Sequence, residues 1–172
     1  MFVETRPGAR TTQDRATRIE TNVVPIDKPL HAQSIKLINF WQRHRKDGRL
    51  LNRSQLPCRE AASFLPSVFV LEPLDDDGYD WRLRVVGTTL TRWLDFDPTG
   101  MTIRDIYHPS TVDKDAGIYR MVTKEKRPHI TQGRLSGINR DFLNLEIVHL
   151  PMEGANDREI MLLGCISIFA EN

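Results

Sequence analysis

Five histidines, two cysteines and two strand arginines are the side chains here with the widest chemical reach. His31, His44, His108, His129 and His149 are scattered. No two lie four apart, so no helix face offers a metal an imidazole pair. Cys58 and Cys165 lack the short spacing of a zinc or redox motif. There is no G-x-S-x-G, no H-E-x-x-H and no glycine loop shaped to cradle phosphate. The chain is expected not to be an enzyme. Arg84 and Arg134 fall inside predicted strands. A guanidinium buried alone is costly, so each pairs with a carboxylate or reaches an anionic ligand or water. For Arg84 the first reading is a fixed ion pair, with Asp97, Asp105 and Glu146 as candidate partners. His149 ends a strand and reads first as a satisfied strand-end histidine, second as a ligand contact.

The elements that must position these groups follow from apolar spacing. Ser34, Leu37, Ile38, Trp41 and Arg45 recur at helical intervals, which predicts a helix from about 32 to 46, closed by Gly48. Val68 to Leu71 and Trp81 to Val86 flank the acidic turn Asp75-Asp76-Asp77-Gly78 and read as a hairpin. Thr88 or Thr89 caps a short helix through Leu90, Trp93 and Leu94. Ile103 to Tyr107 makes a brief turn. Ser110-Thr111-Val112-Asp113 fits a capping box for a longer helix ended by Pro128. Three runs close the chain: His129 to Ile138, Phe142 to Leu150 and Ile160 to Phe169. Residues 137–141 and 153–157 serve as their hairpin links. The middle run alternates, with Leu143, Leu145 and Ile147 on one side. The last, IMLLGCISIF, is apolar on both faces and belongs in the middle of a sheet.

Composition narrows the class. At 172 residues the chain is read as one domain, residues 31–172, behind a flexible arm over residues 1–30 in which Pro25 and Pro29 argue against regular structure. With 24 basic and 23 acidic side chains, net charge +1 gives no overall attraction to nucleic acid. The basic run from Arg43 to Arg53 reads as a solvated helix end, with no nucleic-acid motif beside it. No apolar run approaches the roughly 18 residues of a membrane span. The N-terminus lacks the apolar centre of a signal peptide, and the expected location is cytoplasmic.

Several of these residues also recur in order in a known family. Arg84-Val85-Val86-Gly87-Thr88 followed by Thr99-Gly100, with Trp41, Arg53, Pro57 and Leu65-Pro66 upstream, resembles a PAS-domain family of short stand-alone bacterial proteins. The likeness runs from about Ser34 to Phe169. It implies an α+β fold: a PAS-like five-stranded antiparallel sheet with helices on one face, preceded by an N-terminal helix. It further implies a sensory or regulatory module in bacterial signalling, with no output domain of its own, that acts through ligand- or partner-dependent protein contacts. A ligand pocket between sheet and helices would be lined by Trp93, Tyr107 and Tyr119, with Arg84, Arg134 and His149 as its polar groups. A small-molecule ligand is thus expected there, its identity open. Leu37, Ile38 and Trp41 read first as core packing of the N-terminal helix on the outer face of the sheet, and second as a partner surface, including that of a homodimer. Haem is disfavoured, since PAS domains that bind it carry an axial histidine on the long helix, and Ser110 to Arg127 has none. Flavin is disfavoured because neither cysteine stands in the reactive N-C-R-F-type context. The alternatives are a ligand-free scaffold working through protein contacts and, further off, a small enzyme on a curved α+β sheet.

Overall fold

The computed structural model describes residues 19–137, 143–156 and 159–169. The chain opens with strand β1 (Glu20–Ile26) and helix α1 (Ala32–Arg43). A run of single turns then leads to β2 (Val68–Pro73) and β3 (Trp81–Val86). Helices α2 (Thr88–Leu94), α3 (Ile103–Ile106) and α4 (Pro109–Glu125) follow. Strands β4 (His129–Ser136), β5 (Leu143–Glu153) and β6 (Ile160–Ile168) complete the order. All strand pairs are antiparallel, in one sheet of order β1-β4-β5-β6-β2-β3. The doubly apolar β6 lies between β5 and β2, as its composition requires.

Three expectations need correction. The sheet has six strands, not five, and the sixth comes from the stretch read as a flexible arm. Thr21 and Val23 are buried and alternate with exposed Glu20, Asn22 and Val24. Pro25 is tolerated because β1 is an edge strand, where a missing N–H need not break a ladder. Its neighbour β4 offers Gly133 at the crossing, where any Cβ would lie 2.0 Å from Asn22 O. The free side of the strand is answered by Lys114, whose Nζ donates to Val23 O at 3.0 Å.

Second, helices cover both faces of the sheet, and a strand precedes α1. On one face Leu37, Phe40 and Trp41 of α1 pack over Val68, Val70, Val148, Leu150 and Leu163. On the other, Val112, Ala116, Tyr119 and Val122 of α4 lie over Leu71, Trp81, Leu145 and Leu162. Leu37, Ile38 and Trp41 are therefore turned into this chain's own core and present no surface to a partner. The exposed side of α1 carries Ile35, Lys36, Asn39 and Gln42.

Third, two caps differ. Gly87, not a threonine, starts α2, and His108 caps α4 by accepting from Ser110 N at 3.3 Å. Of the expected 137–141 link only Gly137 falls within the described residues, at φ 88°. Glu146, fully buried, accepts from the N–H groups of Leu30 (2.8 Å) and His31 (3.1 Å) and so fixes the entry to α1.

Candidate functional site

Helices α2 and α3 are short and owe their position to local hydrogen bonds rather than to length. Gly87 N donates to Val68 O at 2.8 Å, tying the start of α2 to β2. Thr102 and Asp105 form a reciprocal capping box at the start of α3. Gly100 N donates to Leu83 O at 2.7 Å and Leu83 N to Met101 O at 2.9 Å, which strings the intervening loop along the β3 edge. The result is a roof held slightly off the sheet.

Beneath it lies a cavity of about 70 Å³. Phe69, Leu71, Leu83, Leu145, Ile166 and Ile168 form its floor, and Leu90, Trp93, Leu94, Ile103 and Ile106 its roof. Tyr107 and Ile19 close one side. Among the described residues no lining side chain is charged. One water needs about 10–15 Å³ of such space, so the cavity suits a body of about six heavy atoms.

A polar seam runs alongside, between α4 and β1. Thr21 Oγ1 donates to the Asp115 carboxylate, 3.0 Å from each oxygen. Burial pushes Asp115 up to about 6, against the opposing effects of Thr21 and Lys114. Burial raises the Tyr107 phenol too, with the Asp115 charge adding to it, and raises Tyr119, where Tyr107 and Asp115 contribute. His149 is driven down to about 3, first by burial and then by His129. The imidazole is therefore neutral at ordinary pH.

The raised Asp115 makes stability pH-dependent. Folded protein holds that proton more tightly than the unfolded chain, so stability is fully present below about pH 4 and is withdrawn as pH rises through about 6. At about 1.4 kcal/mol per unit, the shift amounts to about 2–3 kcal/mol. Asp115→Asn should abolish this component. Urea melts at pH 4 and pH 7.5 should show wild type losing about 2 kcal/mol relative to the variant, and parallel curves would refute the assignment.

The structure sorts the expected site residues. Trp93 and Tyr107 line the cavity. Tyr119 and His149 do not line it but pack on the same face of the sheet, their rings 5.4 Å apart, with His149 also 5.9 Å from the lining residue Phe69. Arg84 does not enter it: its side chain is 54% exposed and its Nε lies 3.3 Å from Glu72 Oε2. The ion-pair reading is right in kind, but the partner is Glu72 on the neighbouring strand rather than Asp97, Asp105 or Glu146. Such an exposed pair is worth about 0–1 kcal/mol. Arg134 is exposed on β4, its Nε donating to Asn144 Oδ1 at 3.4 Å, away from the cavity. His108, beside the long helix, faces Ser110 and Glu20 at the surface. Phe69, Leu145 and Ile19 are among the lining residues not named from the sequence. Strand alternation already put Leu145 on an inward face, whereas Ile19 lay in the presumed arm.

The sequence profile of the PAS domain family matches residues 30–167. The chain belongs to the PAS domain family. No curated protein and no solved structure matches it. Within this PAS domain, β2 to β6 fall inside the matched segment but for Ile168, while β1 precedes it. The sixth strand thus lies outside the part of the chain that carries the family pattern. No helix among the described residues is long and apolar enough to cross a membrane, and none of their side chains group as three candidate metal ligands.

Proposed function

We propose that this PAS domain is a non-catalytic sensory or regulatory module whose cavity takes a small, uncharged, hydrocarbon-rich molecule, and that occupancy is passed on through protein contacts. The observation that carries the reading is the lining. Among the described residues it is apolar and holds no carboxylate, imidazole, thiol or hydroxyl nucleophile other than the Tyr107 phenol. Burial keeps that phenol protonated, so bond-making chemistry has no base to start it. A bound molecule would touch α2, α3 and Ile19, the residue before β1, at once, so it would stabilise the state in which these elements are docked. Any change in partner affinity follows from that difference between two states.

Benzene serves as a probe of suitable size. At tenfold over Kd it should raise Tm by roughly 4 °C. Leu145→Phe, which fills the floor, should remove that rise. Native mass spectrometry of protein purified from its own cells reads the natural occupant. A bare mass together with no response to benzene would overturn the ligand reading.

A further inference from the structure

A buried imidazole stands unpaired at the inner edge of the cavity. His149 is 4% exposed, and its Nδ1 has no hydrogen-bond partner among the described residues. His129 Nε2 and Thr131 Oγ1 are also buried and unpaired. His129 faces His149 across the β4–β5 ladder, and Thr131 is the next position on the same side of β4. Buried polar atoms are ordinarily answered, so three together on one patch mark a place that wants hydrogen-bonding groups.

Phe69 stands between the imidazole of this patch and the apolar cavity. Phe69 lines the cavity and meets the His149 ring edge-on, centroids 5.9 Å apart. Its ring rests on Gly164, where any Cβ would lie 2.0 Å from Phe69 Cζ. Gly164 is also the residue directly opposite His149 on the β5–β6 ladder. The glycine therefore makes room for the ring where it lies between the cavity and His149.

We propose, resting on the cavity reading above, that Phe69 is a movable partition within a single ligand site. The apolar cavity takes the hydrocarbon body, and His149 Nδ1, uncovered when the Phe69 ring turns, takes a terminal hydroxyl. The ligand class is a small neutral alcohol or phenol. A hydroxyl both donates and accepts, so it answers either imidazole tautomer. A carboxylate does not fit, because no cationic side chain lines the cavity and burial holds the imidazole neutral.

Three probes of one ring size test this: benzene, phenol and benzoate, titrated calorimetrically into the full chain. Phenol should bind roughly tenfold more tightly than benzene, the effect of one added hydrogen bond to a buried partner, and benzoate should not bind. In His149→Leu the phenol-to-benzene ratio should fall to about one. In wild-type protein labelled with ¹⁵N-histidine, the His149 Nδ1 resonance should move with phenol and stay put with benzene, a readout that does not depend on the variant folding. Equal binding of phenol and benzene with an unmoved Nδ1 resonance overturns the partition while leaving the cavity reading intact. Failure of all three probes to bind overturns both.

Discussion

Gly87→Ala is expected to destabilise the fold by about 3–5 kcal/mol, the range of the worst core substitutions. A Cβ there would sit 2.3 Å from Pro66 O, 2.5 Å from Pro66 C and 2.6 Å from Leu65 O. All three are backbone atoms, so no side chain can swing aside, and relief requires β3 to part from the turn that enters β2. Parting them would also break the 2.8 Å bond from Gly87 N to Val68 O. Conformational freedom is not the reason for glycine here, since its φ of −66° suits any residue. Close approach is. Gly48→Ala is the matched control: φ is 76° and no atom lies within 4 Å of the added Cβ. That substitution should cost only about 1–2 kcal/mol, from backbone strain alone. Urea melts of the two variants decide the matter, and equal losses would mean that the crossing at Gly87 is not a close one. Because α2 hangs from this crossing, a folded Gly87→Ala protein should also lose the benzene response of the cavity.

Much of this architecture is written in short-range pattern. The hairpin around Asp75 is legible because apolar runs flank a turn whose carboxylate must be used locally, and Asp75 does accept from Tyr79 N and Asp80 N at 2.9 and 3.0 Å. The central place of β6 follows from its lack of a wet face. What escaped depends on partners far away in the chain. In β1 only Thr21 and Val23 are buried, and an exposed valine and a proline follow them, which is too little periodicity to distinguish a strand from an arm. What secures it is distant: Asp115 and Lys114 on α4, and Gly133 on β4. The candidate site divides along the same line. Trp93 and Tyr107 line the cavity, and both sit on elements whose apolar faces are visible in sequence. Arg84 was misplaced because its strand, β3, is the opposite edge of the sheet, where a long side chain reaches water and Glu72 instead of a pocket. Nothing in the local pattern around His149 signals that its Nδ1 lacks a partner, since that depends on what α4 and Phe69 bring to it.

Trp41→Ala carries the other large expected effect, and it separates a core role from an interface role for α1. Trp41 is buried among Val68, Val148 and Leu150, and its Nε1 donates to Pro151 O at 2.7 Å. Truncation leaves a cavity of indole size and strands a buried carbonyl, for a loss of about 3–5 kcal/mol. Against a typical domain stability of about 5–15 kcal/mol, that removes a third or more of the margin. Trp41→Phe keeps most of the packing and loses the bond to Pro151, so it should cost about 1–2 kcal/mol. Arg45, whose guanidinium lies 4.6 Å from the indole centroid, adds about 0.5–1 kcal/mol to the alanine loss. Both costs should appear as lower urea midpoints with an unchanged slope, because the folded state exposes no new surface. Sizing chromatography of folded Trp41→Phe should match wild type at every concentration. If Trp41→Ala instead kept wild-type stability while altering self-association, the indole would have to lie between chains, and α1 could not be the layer that closes this face of the sheet. The surface free for another molecule would then be the sheet itself. With Trp41 inside, a partner approaching this face meets the exposed side of α1, where Lys36, Asn39 and Gln42 surround the single apolar side chain of Ile35, so recognition there rests mainly on hydrogen bonds and charge.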